Sequence, residues 1–427
     1  MQIGKELIPH LFRTEYRKIV SVLCKLFGIE YMEIAEDIAS DTFLLAAEHW
    51  GLNGLPQNPT AWLYSVAKNK AKDHLKHHTI FKQKIVPEIS KTDVILPETG
   101  IDLSNKNIND SQLQMMFAIC HPSISSEAQI GLSLNILCGF GAEEIADAFL
   151  STKETIYKRL ARAKEKLRTE KIKIELPEQS QIEKRLETVL TTMYLLFNEG
   201  YHSISQDATL RKDLCLEAIR LTFLLTENES TNKPQVNALL SLMCFHASRF
   251  EARIDQNGEM VLYDDQDTNL WNKELIDKGE YYLNLASQGN KLSKYHLEAA
   301  IAYWHTKKED TKEKWEKILL LYNKLLQIEY SPVAALNRTY ALSKANGKDE
   351  AIVEAEKLQL KDNHLFHSLL AELYSDINNE KSLMHLQTAL SLAKTLSDKS
   401  IITKRMQTLN QKIRRYRPGY NDKPETK

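Results

Sequence analysis

Lys153, Lys158, Arg159, Arg162 and Lys166 lie beside a run in which Ile156, Leu160, Ala163 and Leu167 repeat at i, i+4, i+7 and i+11. The apolar set is one stripe of a 3.6-residue helix and the cations fall off it, so one side packs and the other is basic. The chemistry open to such a side is non-covalent: hydrogen bonds to base edges in a major groove, with cationic groups on phosphates around it. A shorter helix precedes it, with Ile145, Ala146 and Phe149 at i, i+1 and i+4. Ser151-Thr152-Lys153-Glu154 then supplies an S-x-x-E capping box for the second helix. Two helices joined this tightly form a helix-turn-helix, whose second helix enters a duplex. An ordinary helical hairpin with a solvated charged face fits the same spacing.

A second basic group is Lys68, Lys72 and Lys76 at i, i+4 and i+8, near His74, His77 and His78 and preceded by Trp62 and Tyr64. Aromatic faces that stack on bases, with lysines along the backbone, suit a single-stranded or melted nucleic acid. Trp62 also fits as a core residue of an amphipathic helix. The histidines have no Cys or carboxylate partners at metal spacing, so no metal site is expected. Upstream, Glu30, Glu33, Asp37, Asp41 and Glu48 share a narrow arc at helical spacing. That acidic stripe is either a solvated face or the seat of a basic partner, because like charges along one helix side cost stability.

The elements that must hold these groups are helices. Only 14 Gly and 11 Pro punctuate 427 residues, and no segment alternates apolar and polar residues as a strand would, so the fold class is all-α. Helices are expected at about residues 8–27, 31–50 and from 60, with a loop at 51–59, and again from Asp110. A hydrophobic fraction of 43% with 26% charged residues is that of a globular protein, and the length suggests roughly two to three domains. The formal net charge is -1, so basicity is local: nine Lys/Arg against three Glu from Lys153 to Lys173, and six Lys against Asp73 from Trp62 to Lys84. Cys24, Cys120, Cys138, Cys215 and Cys244 are odd in number and widely spaced, which points to reduced core thiols and a cytoplasmic protein. Neither a signal pattern nor a membrane-length apolar run is present. Nucleophile elbows, phosphate loops and HExxH are absent, so the expectation is a non-enzyme without a cofactor.

AEDIASDTFLLAAEHW followed by NPTAWLYSVAKNKAKDHLKH resembles region 2 of an extracytoplasmic-function (ECF) sigma factor, and EEIADAFLSTKETIYKRLARAKEKLR resembles region 4. The resemblance implies core RNA polymerase and promoter DNA as partners. Asp37, Asp41 and Phe43 would face the polymerase, and Ser40 stands where the family more often has Gln. The 51–59 loop with Asn58, Trp62, Lys68, Asn69, Lys72 and Lys76 would hold the opened -10 strand. Thr152, Lys153, Glu154, Thr155, Lys158, Arg159 and Arg162 would enter the -35 major groove. The implied organisation is region 2 at 1–83, a linker at 84–109, region 4 at 110–173 and a second linker at 174–184.

Beyond these lie a helical extension at 185–290 and repeats at 291–427. CHPSISSEAQ from Cys120, Asn198-Glu199-Gly200-Tyr201, and the stretch from Gly258 to Trp271 resemble a sigma group with a tetratricopeptide-like C-terminal extension. Tyr340 and Tyr374 are spaced by 34, the tetratricopeptide period, and Glu298 to Tyr303 begins a looser copy. Stacked units of this kind offer a concave face to a protein partner and would either shield the DNA-binding units or help hold polymerase. Asp264, Asp265 and Asp267 lack the glycine and glutamate positions of a calcium loop. A helix-turn-helix activator with a repeat-built sensor, or a repeat scaffold that binds no DNA, are the competing functions.

Overall fold

The computed structural model describes residues 2–85, 101–149, 151–201, 211–256 and 260–415. Among them are eighteen α-helices, and the one extended pairing is an isolated bridge between Ile254 and Met260, as expected of an all-α chain. Two units emerge: residues 1–196 with 227–231, and residues 197–226 with 232–427.

In the first unit α1 (Gln2–Phe27), α2 (Met32–Asn53) and α3 (Pro59–Ile85) pack on one another, and α4 (Asn105–Ile119) lies on α1. Alanines recur at i, i+4 where helices meet: Ala35 and Ala39 on α2, Ala67 and Ala71 on α3, all fully buried against a core that includes Ile19, Leu23 and Leu63. α1 stops at Gly28, whose φ of 97° suits a residue without Cβ and whose N–H donates to Cys24 O at 2.8 Å. The unit continues through α5 (Ser126–Leu132), a π-turn at Ser133–Leu137, α6 (Ala142–Ala148), α7 (Lys153–Thr169) and the part of α8 (Gln179–Tyr201) up to Leu196.

Several boundaries differ from the sequence expectation. α2 runs three residues past Trp50, to Asn53, so the 51–59 loop shrinks to 54–58. Within the expected linker at 84–109, residues 86–100 lie outside the described residues, but Leu103 and Ile108 are buried against Val22, with Ile101 and Tyr64 packed on them. The polar run that reads as a linker begins α4 instead, because Ser104 caps it and Asp102 accepts from both the N–H and the hydroxyl of Ser104. The linker at 174–184 is likewise half helix: Ile182 and Leu186 are buried, Arg185 donates to Phe117 O at 2.6 Å, and Thr192 donates to Gln129 Oε1 at 3.0 Å. Apolar periodicity marks such residues as helical but does not say which unit they complete.

The second unit begins with α9 (Lys212–Thr226), α10 (Pro234–Ala247) and α11 (Lys273–Ala286). α10 and α11 cross closely at Gly279, where a Cβ would come within 2.5 Å of the Phe245 ring and whose carbonyl accepts from Ser241 Oγ at 2.7 Å. Three helical hairpins follow, α12/α13 (Lys294–Trp304, Lys312–Ile328), α14/α15 (Pro332–Asn346, Lys348–Lys357) and α16/α17 (His364–Tyr374, Asn379–Leu392), then α18 (Leu396–Arg415). Tyr340 and Tyr374 stand on the first helices of successive hairpins and join one apolar cluster. Asp264 and Asp267 are part of a strapped loop. Lys308 Nζ donates to the carbonyls of Tyr263 and Asp264 at 2.8 and 3.0 Å, and Asp267 accepts from Asn269 N. Among the described residues no group of three His, Cys, Asp or Glu could hold a metal. Gly258 and the residues after Arg415 lie outside those described.

Candidate nucleic-acid interface

The start of α7 differs by one residue from the S-x-x-E expectation. Thr152, not Ser151, is the cap, accepting from Thr155 N at 3.2 Å, and the two threonine hydroxyls are 2.9 Å apart. The reciprocal carboxylate occurs one helix earlier, where Glu144 accepts from Gly141 N at 2.8 Å and opens α6. Ile156, Leu160, Ala163 and Leu167 are all buried, as their period requires. Lys153, Glu154, Lys158 and Arg162 are exposed and Arg159 is partly so, so the structure brings the nominated residues to one open side of α7. Lys153 is steadied by Glu143 of α6 at 3.2 Å. Tyr157, 56% exposed among these cations, belongs to the same surface, although its ring lies outside the charge pattern by which the sequence marks that side.

α3 is opened by Asn58, whose side-chain oxygen accepts from Ala61 N at 3.0 Å, with Pro59 as the first helical residue. Trp62, Asn69, Lys72 and Lys76 fall within an arc of roughly 80° at ~100° per residue, with Lys68 at its edge. Leu63, Ala67 and Ala71 are buried on the other side. Trp62 is half-buried, edge-on to Trp50 at 5.3 Å between centroids and 5.6 Å from His49, so part of its ring packs on α2 and part stays in solvent. Asn69, Lys72 and Lys76 are exposed.

On α2, Asp37 and Asp41 are exposed, and Asp41 accepts from Lys70 of α3 at 3.1 Å. Phe43 does not join them. It is 4% exposed, with Phe12 edge-on at 5.1 Å and Tyr16 at 6.4 Å, because position 43 turns to the side of α2 that packs on α1. The apolar member of the acidic face is Leu44, 61% exposed and seven residues after Asp37, a spacing that returns it to the side of the carboxylates. Ser40 stands beside them, its hydroxyl 3.5 Å from that of Tyr16. Burial pushes the Tyr16 hydroxyl up to about 12, so it stays protonated and donates to Glu36 O at 3.3 Å.

The far end of α7 reaches α2 beside this face. Lys164 Nζ donates to both carboxylate oxygens of Glu36 at 2.6 and 2.8 Å, and Arg168 reaches Glu33 at 3.2 Å. The five thiols are buried, and burial raises Cys120 to about 11 and Cys215 and Cys244 to about 12, values at which none is a nucleophile. No described helix is long and apolar enough to cross a membrane.

Residues 11–79, which hold most of α1, all of α2 and most of α3, match the family Sigma-70 region 2. Residues 185–287 match a family of unknown function (DUF6596). An uncharacterized protein of Rhizobium meliloti (strain 1021) is 31% identical over 377 residues, covering 87% of this chain and 89% of that protein. No solved structure matches. The chain belongs to one family with the Rhizobium protein; it carries a sigma-70 region 2 domain at its N-terminal end, which points to a non-enzymatic transcription factor of the sigma-70 type, followed by a helical C-terminal extension.

Proposed function

We propose that this chain is an ECF-type sigma factor that directs core RNA polymerase to specific promoters. The observation that carries the reading is the pairing, inside the region 2 match, of an acidic face with an exposed Leu44 on α2 and an aromatic-basic arc on α3. The first is a docking surface: an apolar contact ringed by carboxylates recognises a basic protein face and steers its approach. The second is a strand-opening surface. Trp62 offers a ring on which an unstacked base can lie, while Lys68, Lys72 and Lys76 follow the phosphates and Asn58 and Asn69 border the groove.

In this reading α7 reads the -35 duplex. Its capped N-terminus and Thr152, Lys153, Glu154 and Thr155 approach base edges and phosphates, and Lys158, Arg159 and Arg162 continue along the groove. RNA synthesis is the polymerase's chemistry, and this chain supplies affinity, position and strand separation. The successive hairpins from α12 onward are tetratricopeptide-like and suit a protein partner that regulates the factor.

Reconstitution tests this. The purified chain with core RNA polymerase should initiate on an upstream fragment of its own locus and make thymines near -10 reactive to permanganate. If the chain bound that duplex equally well without core and never opened it, the sigma reading would fail in favour of a helix-turn-helix activator. If it bound no DNA at all, a scaffold would remain.

A further inference from the structure

We infer that His367 and His385 form a two-histidine site for a divalent transition-metal ion such as zinc or copper, a clamp across the hairpin α16/α17. The two rings meet because the helices do. Ser382 Oγ of α17 donates to Ala371 O of α16 at 2.7 Å, and Ala371, Leu386 and Ala389 share one apolar cluster. The helices of a hairpin run antiparallel, so one turn back along α16 and about one turn onward along α17 stay abreast. Those positions are His367 and His385, and their Nδ1 atoms are 3.1 Å apart. Each ring is also held elsewhere. His367 Nε2 is 2.8 Å from Lys361 O, and Tyr374 stacks on His385 with 5.7 Å between centroids and 12° between planes.

A carbonyl only accepts, so the Lys361 contact puts the proton of neutral His367 on Nε2 and leaves a lone pair on Nδ1, facing His385. Metal-bound histidines are oriented in this way, one ring nitrogen donating to a backbone carbonyl while the other binds the ion. Without metal, the Nδ1–H of His385 bridges the two nitrogens. With metal, His385 carries its proton on Nε2 instead, and both lone pairs turn to the ion. At metal–nitrogen bonds of ~2.0–2.1 Å, two imidazole nitrogens lie about 2.9 Å apart at a right angle and about 3.3 Å apart at the tetrahedral angle. The observed 3.1 Å falls between these, so small side-chain rotations suffice to seat the ion. Imidazole suits zinc, copper and nickel. Among the described residues no third His, Cys, Asp or Glu completes a cage, which leaves the other positions to water and the ion free to exchange. Occupied, the site cross-links α16 to α17 and stiffens this end of the repeats.

The test uses the full-length chain, stripped of metal with a chelator, and Zn2+ or Cu2+ alone as the probe. Bound Cu2+ should show two imidazole nitrogens in its electron paramagnetic resonance spectrum. With Zn2+, amide hydrogen exchange in α16 and α17 should slow by the factor 1 + [Zn2+]/Kd, about ten-fold at a free concentration ten times Kd. His367→Gln and His385→Gln should each abolish that protection while keeping the metal-free exchange pattern of the wild type. Protection that survives both substitutions, or that falls on another helix such as α3 with its own His74, would mark adventitious binding and overturn the inference. A wild-type chain that takes up neither ion overturns it as well. Where a variant misfolds, the nitrogen count and the place of protection in the wild type still decide. None of these outcomes bears on the sigma reading.

Discussion

Trp62 of α3 meets Trp50 of α2 edge-on, 5.3 Å between ring centroids, and keeps part of its ring in solvent. One edge is thus anchored while the remaining surface is free to stack. Trp62→Ala should leave the helical fold intact and cut promoter opening roughly ten-fold or more, since base–aromatic stacking contributes ~1–3 kcal/mol per base. Trp62→Phe should recover part of it. Permanganate reactivity in holoenzyme complexes measures the effect, and equal opening by Trp62→Ala would show that the ring is only packing.

Phe43 and Leu44 are adjacent in sequence and opposite in role. Phe43→Ala empties a buried site between α1 and α2 and should destabilise the chain by about 3–5 kcal/mol in denaturant unfolding. Leu44→Asp should leave stability within ~0.5 kcal/mol. It should instead weaken core polymerase binding, read by co-sedimentation or fluorescence titration. The reverse pattern would mean that α2 docks through another side.

Thr152 holds the end of α7 that approaches the duplex. Thr152→Ala should cost about 1 kcal/mol of stability through the lost cap and weaken -35 binding, whereas Thr152→Ser should behave as wild type. Binding that is equally weak in both variants would assign the methyl group, rather than the cap, the dominant part.

His305, between α12 and α13, is partly buried with its Nδ1 enclosed and unpartnered, and desolvation, then Arg249 and Lys314, push it down to about 3. It is neutral when folded, while the unfolded chain protonates it below about 6.5. The unfolded state therefore binds more protons in acid, and stability present above about pH 6.5 is lost as pH falls toward 3, with a slope of at most ~1.4 kcal/mol per pH unit. His385, lowered by burial and by His367, acts in the same direction. Urea unfolding at pH 7, 6 and 5 should show the loss, and His305→Leu should flatten it. An unchanged slope would place the acid sensitivity elsewhere.

What sequence alone determined here was local and periodic. The stripe of Ile156, Leu160, Ala163 and Leu167, the scarcity of glycine and proline and the burial of the cysteines follow from 3.6-residue spacing and side-chain chemistry, which do not depend on what lies across the core. So does the exposure of Asp37, Asp41, Lys72 and Arg162. Tertiary structure decided whatever depends on a distant neighbour. Phe43 faces inward because Phe12 and Tyr16 are there, and the run from Ser104 becomes helix because Leu103 and Ile108 find Val22. Glu36 meets Lys164 across 128 positions, a separation over which periodicity carries no information, so only packing could bring these two side chains together.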